Sequence, residues 1–171
     1  YNRMKTLEQV GKANKRKALR IDSGKIRKLV PQNKISSEDI GTQQLKNDLD
    51  AVFSLYIRLK YANPEGIVTC YTCDEPFHYK DIHNGHFVKR GSNATRFEEA
   101  NCKPQCSICN SKHNEDESVY EKKLEEENPG IVAYLRQQGT LFYKFTRDEL
   151  KQLLIAYTEK LRLVKSKLFQ Q

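Results

Sequence analysis

The sequence predicts an α+β fold that is mainly helical, and three observations predict it. Two long segments, residues 42–62 and 146–168, place apolar residues three or four positions apart, which sets them on one face of a helix. Between these segments, β-branched or alternating runs at 67–69 and 82–88 are typical of short strands. Two Cys-x-x-Cys pairs lie on either side of the second run. We therefore expect a small core between long flanking helices.

The composition limits the size of this core and argues against a membrane protein. Of the 171 residues, 37% are hydrophobic, and the mean hydropathy is -0.78. The chain contains no apolar run of about 18 residues, so no membrane span is expected. It opens without a signal-peptide pattern, and Cys-x-x-Cys pairs in such a chain indicate metal ligands in a reducing compartment.

The first part of the chain is strongly basic. The formal net charge is +8, and residues 1–34 carry eleven Lys or Arg residues against two acidic ones. We assign residues 1–41 to a basic N-terminal arm. The candidate phosphate contacts in this arm are Lys15, Arg16, Lys17 and Arg20. On charge alone, a solvated arm and a nucleic-acid-binding arm both stay open as interpretations.

The segment at 42–62 predicts a helix that supports the centre of the chain. Its apolar face consists of Leu45, Leu49, Val52, Tyr56 and Leu59. The Asn-Pro-Glu-Gly sequence at 63–66 is expected to end the helix, because Pro and Gly interrupt helical backbone. We assign residues 42–66 to this supporting element.

Residues 128–171 are assigned to a C-terminal helical region. Pro129 is the expected start of one helix. A longer helix is expected after Thr146, because Thr146 and Glu149 form a capping box. Its apolar face consists of Leu150, Leu154, Tyr157, Leu161, Val164 and Leu168. Such a face requires a partner, which is either the supporting helix or a second subunit in a homodimer.

Four cysteines predict a structural zinc site within a core at residues 67–127. The ligands are Cys70, Cys73, Cys106 and Cys109. Each Cys-x-x-Cys pair offers two thiolates from one tight turn to a tetrahedral Zn²⁺. Because all four positions are taken by protein, the ion has no open coordination site and serves the fold. Cys102 stands outside this spacing and is interpreted as a small core residue.

The residues inside this core resemble a known nuclease site. His-Asn-Gly-His at 83–86, then Asn101, then Asn110 directly after the last cysteine reproduce the order of the HNH, or ββα-metal, nucleases. The segments GHFVKRG, RFEEAN, QCSICN and YEKKL resemble the phage NinG (Rap) recombination nuclease family over roughly residues 43–165. The layout is similar, more distantly, to the junction-resolving endonuclease VII, which also combines an HNH site with a four-cysteine zinc.

The resemblance implies a small ββα-metal (HNH) core and a metal-dependent DNA endonuclease that hydrolyses phosphodiester bonds. It further implies branched substrates, namely recombination intermediates such as Holliday junctions and D-loops, in the cytoplasm of a phage-infected bacterial host cell. Paired cuts across a symmetric junction would suit a homodimer.

The resemblance also assigns roles to three residues. His86 is the general base, Asn101 orients it, and Asn110 binds Mg²⁺ through its amide oxygen. Hydrolysis of a phosphodiester requires an activated water and positive charge beside the developing anion, which this set supplies. A structural alternative remains for two of them: His86 as an ordinary loop histidine, and Asn110 as a helix cap.

One position departs from the family pattern. NinG-like chains place an Asp three residues before the base, where this chain has His83, with Asp81 two residues earlier. An imidazole ligand favours softer ions over Mg²⁺, so the catalytic metal stays open between Mg²⁺ and Mn²⁺. His113, close behind Asn110, is a further candidate ligand.

Basic residues near the expected base are candidate DNA contacts. These are Lys89, Arg90 and Arg96, although basic loop residues are often simply solvated. The neighbouring Phe97 is expected in the core. Two other functions stay open: a non-catalytic zinc-containing module that binds nucleic acid, and a restriction or homing HNH nuclease that cuts linear duplex DNA.

Overall fold

A computed structural model of the protein describes residues 41–113 and 116–169, so the basic arm lies outside the described residues apart from Gly41. The elements are helix α1 (Thr42–Lys60), strands β1 (Ile67–Thr69), β2 (Pro76–His78) and β3 (His83–His86), a 3-10 turn (Glu99–Asn101), strand β4 (Cys102–Gln105), and helices α2 (Ser107–Lys112), α3 (Ser118–Glu127), α4 (Ile131–Gly139) and α5 (Arg147–Phe169). This is the mainly helical α+β class that the sequence predicts.

The strands form two antiparallel pairs. In the first pair, β1 and β2 place Ile67 opposite His78. In the second, β3 and β4 place His83 opposite Gln105 and His86 opposite Cys102. The strand expected within 82–88 is thus paired only over 83–86, and its partner β4 is an element that the sequence did not predict. The second pairing joins two distant parts of the core and brings the end of β3 to the residue after Asn101.

One compact unit consists, in the described residues, of 41–53 and 145–163. It contains the first part of α1 and most of α5, and the Phe53 and Tyr157 rings meet edge to face at 4.7 Å. The residues buried here include Leu45, Leu49, Val52, Phe53, Leu150, Leu154, Tyr157 and Leu161. The first four positions of the predicted α5 face are therefore covered within the chain. A homodimer through this helix remains a prediction.

Helix α5 begins with the predicted capping box. The backbone N–H of Thr146 donates to Glu149 Oε2 at 2.8 Å, and the backbone N–H of Glu149 donates to Thr146 Oγ1 at 3.2 Å. The two contacts satisfy N–H groups that have no partner inside a helix. Helix α4, in contrast, begins at Ile131 and not at Pro129. Gly130 caps it in the left-handed region, with φ +87°, which delays the start.

The second unit consists, in the described residues, of 54–144 and 164–169 and contains both strand pairs. The last part of α1 holds two of its loops. Tyr56 donates its hydroxyl to Glu99 Oε2 at 3.0 Å, and Lys60 forms an ion pair with the same carboxylate at 2.9 Å. Arg58 donates to the carbonyl of Tyr79 at 2.9 Å. The last part of α1 therefore contacts the segment just before β4 and the loop after β2.

Two small apolar cores lie within this unit. One surrounds the cysteine pairs and includes Val68 and Ile82. The other packs Phe87, the residue after β3, against helices α3 and α4 through Tyr120, Leu124, Ile131, Val132 and Leu135. Among the described residues, none of the helices combines the length and hydropathy that a membrane span requires.

Candidate metal centre and catalytic site

The four predicted cysteines lie together. The Sγ atoms of Cys70, Cys73, Cys106 and Cys109 all lie within 4.8 Å of one another, and those of Cys73 and Cys106 are 4.0 Å apart. A tetrahedral zinc with Zn–S bonds of about 2.3 Å separates its sulfurs by about 3.8 Å. The distances and the all-sulfur donor set both fit, so the cluster can hold a zinc ion.

The backbone around the cluster is arranged to serve sulfur acceptors. The N–H of Cys106 points to Cys70 Sγ at 3.3 Å, and the N–H of Cys109 points to Cys106 Sγ at 3.4 Å. Asp74, with φ 62°, makes the left-handed turn that closes the first pair. Cys106 is also the N-cap of α2, so the second pair and this helix are one local structure. Cys102 is fully buried on β4 and is not part of the cluster.

His86 is held by a backbone carbonyl at the end of β3. Its Nε2 lies 3.0 Å from the carbonyl oxygen of Arg96. A carbonyl can only accept, so Nε2 carries the proton of the neutral ring and Nδ1 keeps a lone pair. Burial lowers the pKa of His86, and the positive charges of Arg90 and Arg96 act in the same direction, while the carbonyls of Arg96 and Asn84 oppose it. The imidazole is therefore favoured in its neutral form.

Asn101 joins both ends of the loop that holds His86. Its side chain is fully buried. Its Oδ1 accepts from the N–H of Val88 at 2.7 Å, and its Nδ2 donates to the carbonyls of Val88 at 3.0 Å and Thr95 at 3.1 Å. These contacts fix the backbone just after His86 and just before Arg96. The amide therefore positions the loop; the catalytic role that the family resemblance implies for Asn101 remains a prediction.

Tyr120 on α3 forms a hydrogen bond to β3, the strand that carries His86. It is fully buried, and burial raises its pKa well above the usual range, so the hydroxyl stays protonated. That hydroxyl donates to the carbonyl of Gly85 at 3.2 Å. The helix after the cysteines is thereby attached to the residue that precedes His86.

Asn110 lies inside α2 and does not begin it. The helix spans Ser107–Lys112 with Cys106 as its cap, so the interpretation of Asn110 as a helix cap is wrong. The residue is partly buried, and α2 packs against β3. Asn110 directly follows Cys109 of the cysteine cluster on this helix.

The structure gives His113 contacts of its own. Its Nε2 lies 3.0 Å from the carbonyl oxygen of Phe87, and its ring packs against Phe87 and Tyr120 at centroid distances of 6.1 and 5.1 Å. These contacts attach the end of α2 to the residue after β3. They account for His113 structurally, and its role as a metal ligand remains a prediction.

His83 and His86 are not presented alike. Both lie on β3, and because successive residues of a strand alternate, positions three apart face opposite sides. His83 and Asp81 are exposed. Asn84, which the sequence argument overlooked, shares a face with His86, and its Oδ1 is buried with no hydrogen-bond partner in the part of the chain that the structure describes. Asn84 and His86 lie two positions apart, which places both side chains on the same face of a strand. This spacing was the sequence feature from which Asn84 could have been identified.

The candidate DNA contacts are of two kinds. Lys89 and Arg90 are exposed on the loop that leaves β3. Arg96 is only 9% exposed and donates from Nη1 to the carbonyl of Arg90 at 2.8 Å, so it shapes that loop. Phe97 is buried, as predicted. The other candidates, Lys15, Arg16, Lys17 and Arg20, lie outside the described residues.

Comparison with known proteins places the chain in a family. The family model described as Bacteriophage Lambda NinG protein matches residues 1–167. No curated protein and no solved structure matches the chain. The match extends over nearly the whole sequence and includes the cysteine cluster and the residues around His86. The chain belongs to the NinG family of bacteriophage proteins.

Proposed function

We propose that the protein is a metal-dependent endonuclease that hydrolyses phosphodiester bonds in branched DNA recombination intermediates, such as Holliday junctions and D-loops. The observation that carries the proposal is the state of His86. Its Nε2 is bound to the Arg96 carbonyl at 3.0 Å and its pKa is lowered by burial. A neutral imidazole that donates from Nε2 to a carbonyl keeps a lone pair on Nδ1, and this nitrogen can act as a base.

In this proposal His86 Nδ1 accepts a proton from the attacking water. The Arg96 carbonyl keeps the ring in one tautomer and one orientation. Asn101 fixes the backbone just before Arg96 and just after β3 through its contacts to Thr95 and Val88. A wrongly placed base loses most of its effect, so these contacts contribute to the rate through geometry. Lys89 and Arg90 hold the DNA backbone beside the base.

Asn110 would hold the catalytic divalent ion, Mg²⁺ or Mn²⁺, through its amide oxygen. An amide oxygen is a ligand that hard divalent ions prefer, and Asn110 directly follows the zinc ligand Cys109 on α2. When bound, the ion supplies positive charge to the phosphate oxygens during hydrolysis. His83 is retained as a candidate second ligand, with Mn²⁺ favoured if it binds. The cysteine site thus serves as a rigid mount for Asn110.

Membership in a bacteriophage family and the net charge of +8 support a role on DNA in a phage-infected cell. Branched DNA is proposed because NinG-like proteins act in recombination, where such intermediates arise. A homodimer acting on paired strands in the host cytoplasm completes the proposal.

A second candidate function is a zinc-containing module that binds nucleic acid without cutting it. The observation that favours it is the position of His83, which replaces an acidic ligand and faces away from His86 along β3. A site that holds the catalytic ion weakly would bind DNA and leave it intact.

Cleavage of a synthetic four-way junction beside a linear duplex with the same arms separates these functions. The assay uses the full chain with Mg²⁺, with Mn²⁺ and without added metal. We expect the wild type to cut the junction only when a divalent metal is added. His86→Ala is expected to lower the cleavage rate by about a hundred-fold or more and to retain DNA binding. His78→Ala is the matched control, because His78 lies on β2 in the other strand pair and is expected to leave the rate unchanged.

Other outcomes point elsewhere. Equal cutting of both DNAs would keep the nuclease and remove the recombination substrate, in favour of a restriction or homing type. Binding without cutting under any metal, in wild type and His86→Ala alike, would leave the non-catalytic module.

A further inference from the structure

An apolar tip stands out from the surface between α4 and α5. Phe142 is 95% exposed and its neighbour Leu141 is 53% exposed. Single exposed apolar residues are common, but a phenylalanine in almost full contact with water contributes nothing to the core. The pair, which we call the Leu141–Phe142 tip, therefore needs an explanation outside the fold.

The Leu141–Phe142 tip is attached by hydrogen bonds to the segment 88–93, which follows β3. Asn93 donates from Nδ2 to the carbonyl of Tyr143 at 2.8 Å, and Ser92 donates from Oγ to the carbonyl of Gly139 at 3.2 Å. Gly139 also lies against Val88, because a Cβ at this position would come within 2.7 Å of Val88 Cγ1. Both ends of the tip are thus attached to the segment 88–93, which begins two residues after His86.

The surroundings of the tip are positively charged. Lys89 and Arg90 lie on the segment 88–93, to which the tip is attached, and Lys144 follows the tip in the chain; all three are exposed. An apolar partner surface would not need these three exposed cations. A polyanion with flat apolar faces fits both features, since phosphates pair with the cations and bases stack on the aromatic ring.

We propose that the Leu141–Phe142 tip is a base-stacking wedge that inserts where DNA bases are already unstacked, at the branch point of the substrate. The inference rests on the proposed action on branched DNA and adds the group that recognises the branch. Apolar side chains that enter between bases must overcome stacking, and this cost is smallest where pairing is already interrupted. Phe142 then fixes the branch point relative to His86, which ends β3 two residues before the segment 88–93 to which the tip is attached.

The test measures DNA affinity in a His86→Ala background, where no cutting interferes. The full chain is titrated into a fluorescent four-way junction and into the matching linear duplex. Phe142→Ala is expected to weaken junction binding by about ten-fold or more and to leave duplex binding and folding unchanged, because one base–aromatic stack is lost. Phe142→Trp is expected to retain junction affinity. Val119→Ala is the matched control, since Val119 is also an exposed apolar residue, on α3.

Three results would overturn the wedge. One is equal junction affinity for Phe142→Ala and its parent. Another is equal weakening on junction and duplex, which would make the tip a general DNA contact. The third is a change in oligomeric state with DNA binding intact, which would assign the tip to contacts between copies of the chain. If the parent protein binds neither DNA, the proposed function fails together with the wedge, which distinguishes that failure from the first three.

Discussion

The surroundings of His86 give this residue its chemistry. The Arg96 carbonyl selects the tautomer, and burial lowers the pKa. Asn101 controls both conditions, because it fixes the backbone on either side of the loop with three hydrogen bonds. A single buried amide therefore links the stability of the core to the geometry of the candidate base.

Asn101→Ala is expected to lower the free energy of unfolding by on the order of 3 kcal/mol. The change leaves one buried N–H and two carbonyls without their partner, and each unsatisfied buried group carries a penalty. Urea unfolding followed by circular dichroism measures the loss. Asn84→Ala is the control, since the Oδ1 of Asn84 has no hydrogen bond to lose among the described residues, and it is expected to cost much less. Equal losses in the two variants would contradict this account of Asn101.

Among the elements, α2 depends most directly on the cysteine cluster. It is only six residues long and begins at Cys106, so it cannot be stable by itself. It nevertheless carries Asn110, and its C-cap His113 attaches to the residue after β3. The cluster and β3 thus hold the helix from both ends.

Cys106→Ser is expected to remove zinc and unfold the centre of the chain, because the ion joins two segments that are far apart in sequence. Zinc content and circular dichroism are measured on the same sample. Cys102→Ala is the matched control, since this buried cysteine lies outside the cluster and should leave zinc bound at one ion per chain. A zinc-free Cys106→Ser variant that keeps its native spectrum would show that the metal is not needed for folding.

For the whole molecule, the distribution of charge is expected to govern the approach to DNA in the proposed function. Eleven of the basic residues lie in the first 34 positions. Binding through phosphate contacts releases counterions, so affinity falls as salt rises, and the slope reports the number of contacts. The arm and the exposed loop residues are expected to act together in this way.

Replacing Lys15, Arg16, Lys17 and Arg20 by alanine is expected to reduce the slope of log affinity against log salt by about three to four. Fluorescence titration at several salt concentrations measures it. The control replaces three exposed lysines of α5, which are Lys151, Lys165 and Lys167, and is expected to leave the slope unchanged. A slope that is the same in the arm variant and wild type would show that the arm does not contact phosphate.

Features set by residues close in sequence could be predicted from the sequence. The Cys-x-x-Cys spacing predicted a cluster that the structure brings within 4.8 Å. The apolar spacing at 42–62 predicted α1, and Thr146 and Glu149 predicted the start of α5. Each of these depends on local backbone geometry or on a ligand pattern that repeats within a few residues.

Strand pairing and contacts between segments that are distant in sequence were decided only by the tertiary structure. The pairing of β3 with β4, the carbonyl of Arg96 on His86 and the carbonyl of Phe87 on His113 all join residues that no sequence period relates. Backbone carbonyls are the same in every residue, so a contact to one leaves no mark in the sequence of side chains. The sequence by itself therefore determined the four cysteines of the cluster, the long helices and the residue types of the candidate site, whereas the protonation of His86 and the orientation and exposure of the site side chains were decided by packing.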